Sequence, residues 1–151
     1  MKIAIINGPN LNLLGQREPG IYGSDSFESF FEKLTKKYRE VSFEYFQSNV
    51  EGELVNALQK YAIEADGIIM NPAAYTHTSV AIGDCIAAIH VPVVEVHISN
   101  VHAREEFRKL SHVSAKAAGT ICGLGLEGYR LAVEYFIARL TSPQPSPKER
   151  G

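Results

Sequence analysis

Lys2-Ile3-Ala4-Ile5-Ile6-Asn7-Gly8-Pro9-Asn10 decides how the whole chain is read. Residues 3–6 form an apolar run of strand length with no polar alternation, and it ends in four turn-forming residues. A strand that is apolar toward both sides must be covered on both faces, which is the condition of a parallel sheet. The pattern returns in Gly67-Ile68-Ile69-Met70, which stops at Asn71-Pro72, and in residues 93–98, which Pro92 opens. Residues 41–46 and the brief Thr120-Ile121-Cys122 complete five candidate strands.

Helical spacing fills the intervals. Phe27, Phe30, Phe31, Leu34 and Tyr38 recur at the period of one helix face, after an Asp25-x-x-Glu28 capping pattern. Leu54, Val55, Leu58, Tyr61 and Ala62 make a second amphipathic helix, and residues 78–89 a third. Residues 104–110 read as a short, highly charged helix. From about 126 to 140 the last helix sets Tyr129, Val133, Phe136, Ile137 and Leu140 on one side. Strands alternating with helices predict an α/β fold, a flavodoxin-like three-layer sandwich around a five-stranded parallel sheet of order 2-1-3-4-5. Residues 1–140 are expected to form one domain with no repeat and no linker. Residues 141–151, beginning Thr141-Ser142-Pro143-Gln144-Pro145, are expected to be a disordered tail.

The 151 residues suit one domain, and a chain of this size buries roughly 68–70% of its unfolded surface without needing staples. A formal charge of −2 and scattered lysines argue against a nucleic-acid partner, whose counterion-driven binding needs a clustered basic face. Cys85 and Cys122 lie in apolar segments and read as small core residues of a reducing compartment. The start of the chain enters the first strand without a leader pattern, and no apolar run approaches the length of a membrane span. The expected location is the cytoplasm.

In the 2-1-3-4-5 order, ligands bind at the carboxyl ends of the strands beside the switch point between strands 1 and 3. The polar residues collect there. The loop at residues 8–24 holds Asn10, Asn12, Gln16, Arg17, Glu18 and Tyr22; strand 3 ends at Asn71, followed by Tyr75, Thr76, His77 and Thr78; strand 4 ends in Glu95-Val96-His97-Ile98-Ser99-Asn100. A loop that long in a compact α/β domain usually covers a site. Tyr22 could cap the loop, but Arg17 five residues earlier, among glycines at 15, 20 and 23, offers a cation that would lower a phenol from about 10 toward the working range of a base. His97 alternates with Glu95, so both leave the strand on one face, where the carboxylate would fix the imidazole tautomer; the duller alternative is a satisfied strand histidine.

Other residues keep two readings. His77 is either a neighbour of a helix cap or a substrate ligand. Asn12 and Asn71 could be turn residues, and Arg108 a solvated surface cation. Asp84, on an otherwise apolar helix, should face a partner or the site. His90, His102 and His112 read as structural or surface residues. There is no His-Glu-x-x-His, Cys-x-x-Cys, Walker or Gly-x-Gly-x-x-Gly motif, so neither a metal nor a dinucleotide cofactor is expected. No lysine ends a strand at the crevice, so an imine mechanism lacks its amine.

The segments Asn7-Gly8-Pro9-Asn10-Leu11-Asn12-Leu13-Leu14-Gly15, Arg17-Glu18-Pro19, Tyr22-Gly23, Asn71-Pro72-Ala73-Ala74-Tyr75-Thr76-His77-Thr78-Ser79 and Glu95-Val96-His97-Ile98-Ser99-Asn100 together resemble the type II 3-dehydroquinate dehydratases. Arg104-Glu105, Phe107-Arg108 and the Gly123-Leu124-Gly125 turn extend the resemblance over about residues 1–140. It implies anti elimination of water from 3-dehydroquinate through an enolate, without imine or metal. It implies Tyr22 as the base held as phenolate by Arg17, His97 as the acid at the leaving hydroxyl with Glu95 behind it, and Asn12 at the enolate through a water. Asn71, Ser99 and the backbone at Ile98 would bind the substrate carboxylate, and His77 and Arg108 the ring hydroxyls of this small polyhydroxy acid. Asp84 would reach a neighbouring subunit's site in a homododecamer of trimers. Gly83 departs from the arginine common in the family at that position.

A flavin or receiver module on the same fold is the competing reading. Against it, Asn10 and Asn71 stand where a receiver needs acidic residues, and a hydroxyl-rich phosphate loop is missing. A scaffold without chemistry is the third reading, against which Arg17, Tyr22 and His97 are all present.

Overall fold

The computed structural model describes residues 1–15 and 26–141. Five parallel strands, β1 (Lys2–Asn7), β2 (Ser42–Gln47), β3 (Gly67–Asn71), β4 (Val93–His97) and β5 (Gly119–Cys122), lie in the order β2-β1-β3-β4-β5. Four α-helices cover them: α1 (Phe27–Lys37), α2 (Glu51–Glu64), α3 (Val80–Ala88) and α4 (Glu127–Thr141). The expected strand order is the observed one.

Strand alternation sends successive side chains into two separate cores. Ile3, Ile5, Ile69, Val94 and Val96 pack with Phe27, Leu34, Tyr129, Val133 and Phe136 of α1 and α4. Ala4, Ile6, Ile68, Met70 and Val93 pack with Leu54, Leu58, Tyr61, Ile82 and Ile86 of α2 and α3. That division is the three-layer sandwich. By the same alternation Glu95 and His97 share the side of Val93, the α2 and α3 face.

Some local expectations change. The cap of α1 is Ser26, whose hydroxyl accepts from Ser29 N at 3.1 Å; Asp25 lies outside the described residues. The stretch read as a charged helix over 104–110 is two short 3-10 turns, Val101–Ala103 and Glu106–Lys109. Its ion pairs, Glu105 with Arg108 and Glu106 with Lys109, are spaced for one turn and support no longer helix. The last helix runs one residue past its expected end, to Thr141, and residues 142–151 lie outside the described part of the chain.

The crevice opens where β1 and β3 end. Gly8 N donates to Asn71 O at 2.8 Å, and a Cβ at Gly8 would sit 2.5 Å from the Pro72 carbonyl oxygen, so only glycine lets these two strand ends meet. Just beyond, Asn10 (φ 69°) and Ala73 (φ 53°) adopt the left-handed conformation. For alanine this costs on the order of 1–3 kcal/mol and persists where surrounding structure enforces it, often at a functional site.

Candidate active site

A cavity of about 190 Å3 lies at the carboxyl ends of β1, β3 and β4, lined by Asn10, Asn71, Ala73, His77, His97 and Ser99 together with Ile98, Arg104 and Arg108. Leu11, Leu13 and Leu14, from the 3-10 turn Leu11–Leu13 and its flank, supply an apolar wall. Polar groups converging on one partly apolar pocket are what a small polar ligand requires.

His97 ends β4 and is 6% exposed; Glu95, two residues back, is fully buried. Nε2 of His97 donates to Glu95 Oε2 at 2.6 Å. The other ring nitrogen, Nδ1, is therefore the one not engaged by the carboxylate, and the imidazole lines the cavity. Glu95 also accepts from the Thr76 hydroxyl at Oε2, and at Oε1 from Ser114 Oγ at 2.5 Å and Thr120 Oγ1 at 3.3 Å. Burial opposes its charge, but the hydrogen bond and charge of His97, with the Ser114 and Thr76 hydroxyls, outweigh it and hold the carboxyl below the usual carboxylate range.

His77 closes the 3-10 turn Ala73–His77. Its Nδ1–H donates to Leu110 O at 2.7 Å, which leaves Nε2 as an acceptor. Burial chiefly, helped by the charges of His97 and Arg108, pushes this imidazole below the usual histidine range and keeps it neutral. Its ring meets Phe107 edge-on at 6.0 Å, and the Arg108 guanidinium lies over that phenyl ring at 4.9 Å.

Asn71 lines the cavity while its amide is braced from behind. Oδ1 accepts from Ala73 N at 3.0 Å, and Nδ2 donates to the Tyr129 hydroxyl at 2.9 Å, leaving one Nδ2 proton for a ligand. Arg104 Nη1 donates to Ser99 Oγ at 3.3 Å. Two arginines at the rim supply a positive field suited to an anionic ligand.

The structure thus gathers His97, Glu95, His77, Asn71, Ile98, Ser99 and Arg108 around one pocket. Asn12 is exposed beside it, its Oδ1 accepting from Gln47 Nε2 at 3.5 Å. Asp84 is exposed on α3 and does not line the cavity. A Cβ at its neighbour Gly83 would sit 2.3 Å from the His112 carbonyl oxygen, so α3 approaches that loop without a side chain between them. Tyr22 and Arg17 lie outside the described residues. Thr76, Ser114, Thr120 and Arg104 had no role assigned from the residues alone. Thr76 stood in a polar run at a strand end, whereas nothing local to Ser114 or Thr120 marks a contact with Glu95. Among the described residues no three side chains of His, Cys, Asp and Glu are grouped to hold a metal ion.

Comparison with known proteins places the chain in a family. The family model described as Dehydroquinase class II matches residues 1–137. A 3-dehydroquinate dehydratase of Fusobacterium nucleatum is 55% identical over 143 residues, covering 91% of this chain and 97% of the relative. One from Shewanella woodyi is 51% identical over 144 residues, covering 94% and 95%. The crystal structure of a type II dehydroquinase from Butyrivibrio crossotus superposes with a TM-score of 0.88 at 44% identity, covering 91% of this chain and 98% of that one. With a family model across the whole sheet and relatives more than half identical over nearly their full length, this chain belongs to the class II dehydroquinases.

Proposed function

We propose that the chain converts 3-dehydroquinate to 3-dehydroshikimate, with His97 delivering the proton to the departing hydroxyl. Its family is that of the 3-dehydroquinate dehydratases, so the activity is that of a hydro-lyase and the pathway is the shikimate route. The observation that carries the assignment of the acid is the His97 imidazole, tied by Nε2 to a buried carboxylate and lining the cavity.

In this reading a base removes the proton beside the substrate ketone, and the electron pair enters an enolate. The C–O bond of the β-hydroxyl then breaks, and the oxygen leaves as water with the proton from His97 Nδ1. Glu95 keeps Nε2 protonated throughout and stabilises the imidazolium before transfer. Tyr22 is the base, held as phenolate by Arg17; a β-hydroxy ketone needs a base of this kind, and no described residue of the cavity is better suited. Asn12 assists the enolate through a water, a role supported by its place between Leu11 and Leu13 of the cavity wall. The substrate carboxylate is bound by Ser99, the backbone at Ile98 and the free Nδ2 proton of Asn71. Neutral His77, with an acceptor nitrogen, and Arg108, with donors, suit the ring hydroxyls.

Assembly as a homododecamer of trimers belongs to the same proposal. Val80, Ala81, Asp84, Ala87 and Ala88 share the exposed side of α3, and a carboxylate there reaches substrate only in another copy's site. Cytoplasmic residence is consistent with two free thiols, Cys85 and Cys122.

Absorbance in the enone band of 3-dehydroshikimate, followed after addition of 3-dehydroquinate, tests the function. Rising absorbance that survives borohydride treatment in the presence of substrate supports elimination without an imine. His97→Ala is expected to lower turnover by about 10²–10⁴, the usual contribution of a general acid, with substrate binding largely kept. Near-normal turnover in that variant would remove His97 from the acid role. Tyr22→Phe is expected to behave alike, and substantial residual activity would remove Tyr22 as the base.

A further inference from the structure

Glu95 is wholly buried and ionised, and every acceptor direction of its carboxylate is filled. A carboxylate takes about four hydrogen bonds. Here Oε2 accepts from the Thr76 hydroxyl and His97 Nε2, and Oε1 from Ser114 Oγ and Thr120 Oγ1. The three hydroxyls come from three separate segments: the turn after β3, the loop before β5, and β5 itself. None of the three lines the substrate cavity. The segments also brace one another: His112 N donates to Thr76 O at 2.8 Å, and Ser114 N donates to Ser111 Oγ at 2.9 Å.

We infer that Thr76 and Ser114 are positioning residues for the elimination, whose hydroxyls fix the plane and the charge of Glu95 so that His97 is gripped at Nε2 and gives its proton from Nδ1. The inference rests on the reading of His97 as the acid. The hydroxyl donors stabilise Glu95 in its charged form, so the proton shared along the Nε2–Oε2 hydrogen bond stays on His97 and the imidazolium gives up the one at Nδ1. A carboxylate short of a donor can rotate or take up a proton itself, and either change releases the ring. Hydrogen bonds to an ionised buried group are strong because the alternative is an unpaired buried charge.

Among the described residues, the charged and titratable groups near Glu95 are these. His97 stands on its own strand, and His77 on the turn after β3. A second cavity of about 80 Å3 beside His97 is lined by Arg108, Lys109, His102 and, on β5, Cys122. Removing a hydroxyl leaves all of these in place, so a displaced pH profile reports the carboxylate.

The test is the pH dependence of enone formation by the whole protein in four forms: unaltered, Thr76→Val, Thr76→Ser and Ser114→Ala. Valine keeps the shape of threonine without the hydroxyl; serine keeps the hydroxyl without the methyl, so a packing defect shows in the serine form and a lost donor only in the valine form. Thr76→Val and Ser114→Ala are expected to lower kcat about tenfold, part of the 10²–10⁴ a general acid supplies, with KM within about twofold. The acidic limb of kcat moves to higher pH, because a carboxylate that loses a donor holds its proton more tightly. Thr76→Ser retains both kcat and the limb. Unchanged kcat in the valine and alanine forms overturns the inference, as does a fall with the acidic limb unmoved and serine no better than valine. Should the unaltered protein form no enone, the reading of the function fails, and the cage is tested on its own by nuclear magnetic resonance titration of His97. A midpoint displaced in Thr76→Val and restored in Thr76→Ser supports the cage; one unmoved in both overturns it.

Discussion

The Tyr129 hydroxyl lies between two asparagines, donating to Asn7 Oδ1 at 2.8 Å and accepting from Asn71 Nδ2 at 2.9 Å. Burial pushes this phenol far above its ordinary value, so it stays neutral and both bonds persist at any working pH. The contact sets which way the Asn71 amide faces and, through Oδ1, anchors the left-handed Ala73. Tyr129→Phe leaves two buried polar atoms short of a partner and is expected to cost about 1–3 kcal/mol of unfolding free energy, read from urea denaturation; an unchanged midpoint would show that the hydroxyl is dispensable to the fold. His77 makes the other residue-scale prediction. Burial lowers its folded pKa, so the unfolded chain takes up the proton first as the solution is acidified. Its contribution to stability is therefore complete above the ordinary histidine range and is lost as pH falls through that range toward the lowered folded value. His77→Gln is expected to flatten the dependence of the urea midpoint on pH between about 7 and 5, and an unaltered slope would assign that dependence to other groups.

At the scale of elements, the crevice depends on how closely β1 and β3 come together at their ends. Gly8 is the hinge of that approach, with the Pro72 carbonyl where a side chain would be. Gly8→Ala is expected to destabilise the protein by about 1–3 kcal/mol, as overpacking does, and to raise KM, because Asn10 and Ala73 border the cavity on either side of the contact. Thermal unfolding and initial rates check both; a stable variant with unchanged KM would mean that the strand ends yield freely. The helix α3 shows the opposite arrangement. Its inner side, with Ile82 and Ile86, joins the core, while its outer side is a row of small apolar residues around Asp84. An exposed face of this kind suits an interface.

For the whole molecule, that face and the acid-labile groups make one further prediction each. Light scattering after size-exclusion chromatography is expected to give twelve chains, and Asp84→Arg smaller assemblies with reduced activity; a fully active monomer would overturn the proposed exchange of Asp84 between sites. Stability is expected to fall further below the histidine range, as pH drops through the lowered folded pKa of Glu95, because a carboxylate depressed in the fold stabilises it only while ionised. Urea midpoints of the wild type and Glu95→Gln, compared across the acidic range, read this contribution.

Local chemistry settled the parts of this protein that depend on near neighbours. Residues 3–6 and 67–70 are apolar toward both sides, and the turn formers after them end each strand, so the parallel sheet, its order and the end that carries the crevice were legible without coordinates. Strand alternation likewise put His97 and Glu95 on one face. The tertiary structure alone decided what surrounds them. Thr76, Ser114 and Thr120 stand 19, 19 and 25 residues from Glu95, and nothing in their own segments marks them as its partners. The same holds for Tyr129 and Asn7, 122 residues apart, and for Asp84, whose side of α3 was unknown until the helix was packed. Periodicity and turn chemistry are properties of a few adjacent residues, whereas satisfying a buried charge depends on which distant segments the packed sheet brings within hydrogen-bond reach.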